Sequence, residues 1–560
     1  SFNGEIYNFR ELRRELAAAG FAFRTAGDTE VILAAWAKWG PACLERLDGM
    51  FAFALYDLAE RRLFLARDRF GVKPLHYAPL PDGSIAFASE LKGLLALPQL
   101  RRGISPQAVD AFLAWGYVPD SHAILEGVHK LPAGHSWLIA HGTPPGRPQA
   151  WWDIDFTSRA TGSEAELAEE LLCLLRGAVR SRMVADVPLG AFLSGGVDSS
   201  SVVALMSEAS AAPVTTCSIG FDIASVDETA HARAVAARFG TDHHERIVGQ
   251  DDFAALNRLA AMFDEPFADA SALPTWRVCQ LAREHVTVAL SGDGADEAFA
   301  GYRRQVFHHH EERLRAMLPA ALRAPVFGGL GRLYPQADWA PRPLRAKATL
   351  LALAGSGAEG YARALAAMPQ EARRALYSEG FTRRLGGFRA EDEVIALMRE
   401  APARSGLDAA QYADLRFWLP GDILTKIDRT SMAVSLEARE PLLDHRLVQF
   451  AARLPEAMRV RGGAGKHLLK RTMEGRLPHE ILHRPKQGFV TPVAEWLRGP
   501  LAAEARAIAT SGVLAATGFF AAPALAELAE AHIAGRRDHS RALWQLVMLE
   551  RALARLAPTA

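Results

Sequence analysis

Two short stretches of the sequence combine glycine and serine with an aspartate: residues 194–200 read SGGVDSS, and residues 291–297 read SGDGADE. Small residues at the start of a helix present backbone N–H groups to an anion, and the helix dipole favours negative charge there. Asp198 and Asp296 would repel a bare phosphate. They fit if Mg²⁺ lies between the carboxylates and the phosphates, because Mg²⁺ commonly shares oxygen ligands in this way. The stretches therefore predict a site for a nucleotide pyrophosphate and Mg²⁺.

The same residues are compatible with other functions of these loops. Each aspartate could simply cap a helix, a common role for this residue type. The chain lacks the GxxxxGK[ST] pattern of a Walker loop, and GDGADE lacks the third glycine of a dinucleotide fingerprint. Because two loops each place an aspartate after Ser-Gly, we favour metal-assisted pyrophosphate binding over two independent caps.

The elements around these loops indicate how the sequence positions them. From residue 187 onward, strand-like segments (VPLGAFL, PVTTCSIGF, HHERIV, VTVAL) alternate with helical ones (SSSVVALMSEA, DETAHARAVAARFG). This alternation predicts a parallel, doubly wound α/β sheet with helices on both faces. Ligands of such sheets lie beyond the carboxyl ends of the strands, where both loops fall. Residues 300–420, rich in Ala, Arg and Leu, are predicted to be helical.

The first hundred residues have a different pattern. Residues 11–20 have helical spacing, and residues 49–57 and 61–68 are typical of buried strands. Asp82-Gly83 between two apolar segments indicates a hairpin. This pattern predicts an α+β domain with strands paired by hairpins. The Pro- and Gly-rich residues 141–150 mark a domain junction, after which Ser163 is predicted to cap a new helix.

Composition narrows the class of protein. The 560 residues include 64 Lys+Arg and 64 Asp+Glu, and this balance argues against a large nucleic-acid interface. The four cysteines form no CxxC pair and are predicted to be reduced, buried thiols. No apolar run approaches the ~18 residues of a membrane span, and the opening SFNGEIYNFR is not a signal peptide. We therefore predict a cytoplasmic protein that binds neither nucleic acid nor membrane.

The motifs together resemble a known family. SGGVDSS and LSGDGADE are similar to the pyrophosphate-loop synthetase domain of glutamine-dependent asparagine synthetases. FNGEIYN (2–8), GDTEVILAAW (27–36) and ARDRFGVKPLHY (66–77) resemble its class II glutaminase domain. Further matches are residues 422–448, GKHLLK (465–470) and RPKQGF (484–489). More loosely, the whole chain is similar to a bacterial subgroup found with exopolysaccharide and exosortase-type sorting systems.

The resemblance implies an architecture and a reaction. It places a partial Ntn-type αββα glutaminase domain at residues 1–148 and a doubly wound pyrophosphate-loop synthetase domain with helical additions at residues 163–555. The implied reaction uses ATP and Mg²⁺ to convert aspartate to asparagine through an acyl-adenylate, releasing AMP and pyrophosphate. Ammonia comes from glutamine and passes through a tunnel that protects the intermediate from water. The resemblance also implies a homodimer.

The resemblance further assigns residues by position. ATP binding falls on Leu193, Ser194, Gly195, Gly196, Asp198, Ser199, Ser200, Ile219, Ser291 and Gly292; metal binding on Asp198 and Asp296; catalysis on Asp293 and Lys486; and glutamine binding on Asn3, Gly4, Glu5 and Asp28. Lys486 is expected to neutralise charge on the phosphates or in the adenylation transition state. Lys466 is a weaker candidate, for which we expect a structural role.

Three departures from the family pattern affect these expectations. The family's cysteine nucleophile falls before residue 1, and Cys43 cannot replace it, so the chain as printed is expected to use free ammonia and not to hydrolyse glutamine. Asp293 stands where many relatives have glutamate. Residues 264–277 lack the arginine that relatives place before their Ser-Thr-Pro, which puts aspartate as the acceptor in doubt.

Alternative functions therefore stay open. One is amidation of another carboxylate, such as a sugar acid in exopolysaccharide synthesis. A tRNA-modifying pyrophosphate-loop enzyme is disfavoured by the absence of CxxC pairs and of a basic excess. A non-catalytic truncated homologue is disfavoured because Asp198, Asp296 and Lys486 are all present.

Overall fold

The computed structural model describes residues 1–144, 146–221, 228–317, 319–334, 347–484, 491–510 and 512–556. Within these ranges the N-terminal part is built on antiparallel sheets and the remainder on a parallel sheet surrounded by helices. The predicted α/β architecture with two unlike halves is confirmed.

The N-terminal half pairs a five-stranded antiparallel sheet with a smaller one. The first contains β1 (Phe2–Ile6), β2 (Gly49–Asp57), β3 (Arg62–Arg67), β7 (His135–Ala140) and β8 (Gln149–Ala150), in that order. The second has the order β5 (Ile85–Ala88), β4 (His76–Pro79), β6 (His129–Lys130). The β2–β3 and β4–β5 hairpins, including the turn at Asp82-Gly83, form as the sequence predicts.

Strand β2 shows why these layers pack together. Phe51 and Phe53 face a cluster contributed by the helices on one side of the sheet. Ala52 and Ala54 face the opposite cluster, which includes residues of the smaller sheet. Successive side chains of a strand point to opposite faces, so one apolar strand serves both layers. The helices on the first side are α1 (Phe9–Ala18), α2 (Thr29–Trp39), the 3₁₀ turn Gly40–Ala42 and α3 (Cys43–Arg46).

The second half is built around a five-stranded parallel sheet. Its order is β11 (Asp242–Val248), β10 (Thr215–Phe221), β9 (Leu189–Phe192), β12 (Val288–Leu290), β13 (Glu437–Arg439). The chain runs from β9 outward to β11 and then returns to place β12 on the other side of β9. The strand order therefore reverses between β9 and β12, the position at which doubly wound sheets bind ligands.

Helices cover this sheet and extend beyond it. The first, α6 (Glu164–Arg182), begins with a capping box in which Ser163 and Glu166 bond each other's backbone N–H groups. Those nearest the sheet are α7 (Val197–Ala209), α8 (Thr229–Phe239), α10 (Ala272–Arg283), α11 (Ala295–Ala298), α20 (Thr425–Met432), α21 (His445–Arg453) and α23 (His467–Met473).

Two of the remaining helices lie in the N-terminal half, and the others form the predicted helical additions of the second half. They are α4 (Leu91–Leu94), α5 (Pro106–Trp115), α9 (Leu256–Met262), α12 (Arg303–Met317), α13 (Ala320–Leu333), α14 (Lys347–Ala354), α15 (Gly357–Leu365), α16 (Gln370–Arg374), α17 (Glu379–Leu385), α18 (Glu391–Glu400), α19 (Gly406–Ala413), α22 (Glu456–Arg459), α24 (His479–His483), α25 (Val493–Arg498), α26 (Ala502–Ala507), α27 (Val513–Thr517), α28 (Ala522–Ile533) and α29 (Ser540–Leu556), with 3₁₀ turns Gln250–Ala255 and Pro441–Leu443 and a π-helical segment Asp414–Leu424. None of the described helices is long and apolar enough to cross a bilayer.

The cysteines differ in one respect from the prediction. All four are free thiols, and Cys43, Cys217 and Cys279 are buried as expected. Cys173 is exposed, so the prediction of burial is wrong for that residue. It lies on α6, whose buried face is formed by other positions such as Leu171 and Leu175. Burial raises the pKa of Cys43 to about 12, which agrees with the expectation that this thiol is not a nucleophile.

Candidate active site

The two glycine loops meet at the carboxyl edge of the parallel sheet. Leu290 of β12 pairs with Ala191 of β9, so the loops that follow these strands leave the sheet side by side. A Cβ at Gly292 would lie 2.7 Å from the backbone nitrogen of Ser199 and 3.0 Å from the carbonyl carbon of Asp198. Only glycine permits this close approach, and the sequence thereby brings the two predicted motifs into contact.

The first loop is held in shape by its own small residues. Gly195 has a φ of +69°, and a Cβ there would lie 2.6 Å from Cβ of His231. The backbone N–H of Ser194 donates to Oγ of Ser199 at 3.2 Å, and the two serine hydroxyls lie 3.0 Å apart. The loop thus leads directly into α7, whose N-terminal N–H groups suit an anion.

Helix capping by the aspartates is wrong as an alternative. The residues at the N-cap positions of α7 and α11 are Gly196 and Gly294, and neither helix start shows a side-chain cap. Asp198 and Asp296 are each the second residue of their helix. Neither carboxylate therefore occupies a capping position.

Lys466 joins the two aspartates. Its Nζ lies 2.6 Å from Oδ2 of Asp198 and 2.6 Å from Oδ1 of Asp296. Lys466 is 5% exposed, and burial alone would lower the pKa of its ammonium, but the two carboxylates outweigh burial and the pKa is raised. The charged lysine therefore stands at the point on which both carboxylates converge, a place that the sequence did not assign to it.

The same convergence allows a test of whether Mg²⁺ fits. The two carboxylates already surround one cationic centre. Among the described residues there is no group of three or more His, Cys, Asp or Glu side chains that could hold a metal ion. A metal here would take two ligands from the protein and the rest from phosphate and water, which is how Mg²⁺ usually binds beside nucleotides. The donor set fits Mg²⁺.

A cleft of about 440 Å³ opens in front of the two loops. The residues assigned to ATP, metal or catalysis that line it are Leu193, Ser194, Asp198, Ser199, Ile219, Ser291, Gly292, Asp293 and Asp296. Gly195 and Gly196 lie in the adjoining loop, and Ser200 is fully buried behind it. Lys486 lies outside the described residues. The structure thus brings most of the predicted nucleotide-site residues to one cleft.

Two further polar groups line this cleft and were not predicted from the sequence. Lys426 Nζ lies 2.6 Å from Oδ2 of Asp269 and donates to Oγ of Ser271 at 2.9 Å. Burial opposes its charge, but Asp269 and Asp422 raise the pKa of Lys426. Lys426 lies in residues 422–448 and its partners lie in residues 264–277, two segments that were compared with the family above. No local sequence pattern indicates that these two segments contact each other.

Glu297 and Tyr302 form the second group. The Tyr302 hydroxyl donates to Oε1 of Glu297 at 2.6 Å. Burial, together with the charge of Asp296, raises the pKa of Glu297 to about 7, against the opposing effect of the Tyr302 hydrogen bond. A carboxyl group with this pKa exchanges protons near neutral pH, as a general acid or base must.

The residues assigned to glutamine meet at the edge strand of the N-terminal sheet. Asn3, Gly4 and Glu5 lie on β1, and Oδ2 of Asp28 accepts the N–H of Ile6 at 3.0 Å. A Cβ at Gly4, whose φ is +145°, would lie 2.0 Å from the carbonyl oxygen of Met50. Burial raises the pKa of Glu5 to about 7 and the charge of Asp28 adds to the shift, so the two acidic side chains lie close to each other.

One arginine connects this strand to the other half. Arg439 is the last residue of β13, and its Nη2 lies 3.7 Å from Oε2 of Glu5. Its guanidinium lies 5.6 Å from the ring centroid of Tyr7. Its carbonyl oxygen accepts the N–H of Ser291 at 2.9 Å. The loop of residues 291–297 and the predicted glutamine strand therefore contact the same residue.

Comparison with known proteins agrees with this geometry. Residues 170–554 match the family model described as asparagine synthase, and residues 1–152 match the glutamine amidotransferase domain. The two matches cover both halves of the molecule, and each includes the candidate site of its half.

Individual relatives extend over nearly the whole chain. It is 32% identical to asparagine synthetase (glutamine-hydrolyzing) 1 of Bacillus subtilis over 559 residues, which covers 98% of this chain and 84% of the relative. It is 35% identical to a putative asparagine synthetase (glutamine-hydrolyzing) of Mycobacterium bovis over 560 residues, covering 98% and 83%. It is 28% identical to amidase chry2 of Gibberella zeae over 544 residues, covering 89% and 78%.

Proposed function

The chain belongs to the asparagine synthase family, and on that premise we propose that it couples ATP cleavage to amidation of a carboxylic acid, with glutamine as the source of ammonia. The observation that carries the proposal is the convergence of Asp198 and Asp296 on one cationic centre, beside the start of α7 and at the sheet's switch point. This arrangement suits a nucleotide whose leaving group is pyrophosphate.

The first step is adenylation of the acceptor. A carboxylate oxygen bonds to the α-phosphorus of ATP. At the same time the bond between the α-phosphorus and the oxygen that bridges to the β-phosphate breaks, and pyrophosphate leaves with that electron pair. The backbone N–H groups of the SGGVDSS loop would hold the leaving pyrophosphate. Asp198 and Asp296 would hold Mg²⁺, which when bound neutralises phosphate charge. Lys466 keeps these carboxylates in place and adds a positive charge close to them.

The second step forms the amide. Ammonia attacks the acyl carbon, and AMP leaves with the electrons of the acyl–oxygen bond. The attacking nitrogen must lose a proton, and Glu297, with a pKa of about 7, lines the cleft where that proton is released. Asp293 lines the same cleft and is the second carboxyl candidate for this proton. Lys486 stays a prediction for stabilising negative charge on the phosphates.

Aspartate is the first candidate acceptor, because two of the relatives bear the name asparagine synthetase. A second candidate is a different carboxylate, and one observation favours it. In residues 264–277, the segment in which the family resemblance leads us to expect an arginine, this chain has Asp269, whose carboxylate is paired with Lys426. The second carboxylate of aspartate would therefore face the carboxylate of Asp269 and not an unpaired cation.

Product analysis tests the proposal directly. The purified chain is incubated with ATP, Mg²⁺, aspartate and ¹⁵N-ammonium, and phosphorus NMR together with mass spectrometry follows the products. We expect AMP and pyrophosphate in equal amounts, with ¹⁵N in an amide. Formation of ADP and inorganic phosphate would contradict the proposed adenylation, because it requires attack at a different phosphorus.

A further inference from the structure

Exposed apolar side chains are concentrated on two neighbouring helices, α12 and α13. Of the fourteen large hydrophobic side chains that are exposed among the described residues, seven lie in the segment 307–333. Four of the seven recur along α13 at intervals of four, four and three residues: Leu322, Val326, Leu330 and Leu333. Scattered exposed apolar side chains are ordinary, whereas a contiguous group of them marks an interaction surface. We call these four residues the apolar stripe.

The apolar stripe lies on one side of α13. At about 100° of rotation per residue, its four positions fall within an arc of about 80°. The opposite side carries Gly328 and Gly331 and packs against α14, since a Cβ at Gly331 would lie 2.9 Å from Cδ2 of Leu351. One face of α13 is thus fixed to the protein, and the other presents its apolar side chains to solvent.

The surroundings of the apolar stripe are basic. Residues 313–333 contain four arginines and no aspartate or glutamate, although the whole chain has 64 basic and 64 acidic side chains. Arg315 is buried and paired with glutamates of α12, whereas Arg313 and Arg332 are exposed. On the helical projection of α13, Arg323 and Arg332 lie on the two sides of the stripe. The surface therefore combines an apolar centre with positive charge at its margins.

A bilayer surface that contains anionic lipids matches both properties. Interfacial helices bury their apolar face at the boundary between headgroups and acyl chains, and the basic side chains beside it are attracted to the anionic headgroups. Arginine suits this position, because its aliphatic stem can lie against the apolar layer while the guanidinium stays in the polar one.

Protein occupants fit this surface less well. A second copy of the chain would bring two basic faces together, and like charges placed opposite each other disfavour association. Protein interfaces obtain most of their binding energy from Trp, Tyr and Arg, and Leu and Val are under-represented among such residues. The apolar stripe consists of leucine and valine alone, side chains that supply apolar area to a lipid phase without a shaped pocket.

We propose that the apolar stripe and the arginines beside it bind the surface of an anionic bilayer. The expectation that the chain binds no membrane was based on the lack of a spanning segment, and a helix bound at the interface needs none. Tyr302, which lines the nucleotide cleft, directly precedes α12. Because α12 has 15 residues, its far end lies about 22 Å from Tyr302. The bilayer surface and the nucleotide cleft are therefore separate sites.

The test is flotation of the full chain with two kinds of vesicle, one of phosphatidylcholine alone and one that also contains phosphatidylglycerol. We expect the ratio of bound to free chain to be at least tenfold higher on the anionic vesicles, and to fall when the salt concentration is raised. Equal ratios on the two kinds of vesicle, or no binding to either, would overturn the proposal. Neither ATP nor an acceptor is needed for binding, so this failure would leave the proposed function standing.

A matched pair of leucine variants locates the surface. Leu333 is 85% exposed and Leu58, in the N-terminal half, is 82% exposed, so neither substitution empties a core position. Leu333→Asp is expected to lower the bound-to-free ratio on anionic vesicles at least tenfold, and Leu58→Asp is expected to leave it unchanged. The melting temperature of each variant checks that the fold is intact. Equal binding by the two folded variants would overturn the placement on α13.

A pair of arginine variants tests the contribution of charge. Arg332→Gln is expected to lower binding to the anionic vesicles about fivefold and to leave binding to neutral vesicles unchanged. Arg101→Gln is the control, because Arg101 is also exposed and lies in the N-terminal half. Equal binding by the two variants would overturn the role of the arginines beside the stripe.

Sedimentation velocity without vesicles tests the second copy as the occupant. We expect Leu333→Asp and the unmodified chain to have the same oligomeric state. Dissociation of an oligomer by Leu333→Asp would assign this face to contacts between copies and overturn the proposal.

Discussion

In the N-terminal half, Asn3, Gly4 and Glu5 follow one another along a single strand, whereas the residues around the nucleotide cleft come from strands and helices spread between Leu193 and Lys466. An antiparallel strand can carry a binding motif on consecutive residues, and β1 needs only the backbone of β2 beside it. A parallel sheet must bring distant segments together before its site exists. We therefore expect the cleft to depend on long-range contacts and the edge strand to depend on local backbone fit.

The largest effect should come from removing a carboxylate of the cleft. Asp198→Ala is expected to reduce ATP–pyrophosphate exchange by about 100- to 1,000-fold, the usual cost of losing one preorganised electrostatic group. The control is Asp242→Ala, at the start of β11 on the same sheet and with a largely exposed side chain. Similar exchange rates in the two variants would contradict the assigned role of Asp198.

The next largest effect concerns the lysine between the aspartates. Lys466→Met leaves two neighbouring carboxylates without their common partner, so we expect a lower melting temperature in the absence of Mg²⁺. Because Mg²⁺ would then face no competing ammonium group, its addition should raise the melting temperature more in the variant than in the unmodified chain. Differential scanning fluorimetry with and without Mg²⁺ measures both quantities. An equal Mg²⁺ response in the two proteins would argue against metal binding at this pair.

A smaller effect is expected at the edge strand. In the β1–β2 ladder Gly49 pairs with Ile6, and a Cβ at Gly49 would lie 2.2 Å from the carbonyl oxygen of Glu5. Gly49→Ala should cost about 2 kcal/mol of folding free energy through this overlap and leave ATP–pyrophosphate exchange intact. Gly146→Ala is the control, since nothing lies within 4 Å of the added atom. Denaturant unfolding measures the difference, and equal stability of the two variants would refute the local argument.

The smallest effect tests the junction of the two halves. Burial raises the pKa of Glu440 to about 8, with Lys73 opposing and Asp293 reinforcing the shift. Between the ordinary pKa of glutamate and pH 8, the folded state keeps a proton that the unfolded state has lost, so this group's contribution to stability falls as the pH rises. Glu440→Gln should therefore stabilise the protein more at pH 7 than at pH 6, by about 1 kcal/mol.

Thermal unfolding at the two pH values measures that difference. Glu11→Gln on the exposed face of α1 should show no such dependence. A stabilisation that is independent of pH would show that Glu440 does not titrate in this window.

The sequence predicted local features well and long-range partnerships poorly. The SGGVDSS and SGDGADE loops, the β2–β3 hairpin and the Ser163 cap all have short-range signals, and each forms in the structure. Strand β13 was missed, because three residues carry too little periodicity to identify a strand.

Lys466 shows the same limitation inside the site. Its partner Asp198 lies 268 positions away, and nothing around a lysine before a short helix indicates a pair of carboxylates. Lys426 and Asp269, 157 positions apart, are similar. Such contacts depend on how the sheet is assembled, and a single sequence records that only through resemblance to relatives.

Arg439 links the edge strand of the N-terminal sheet to the loop that follows β12. Its backbone fixes the serine of the second loop, and its side chain approaches the acidic residue of the edge strand. If a ligand on one side moved this residue, the affinity on the other side would change, and thermodynamic linkage would require the two changes to be equal. One residue is therefore the place at which binding in the two halves would be coupled.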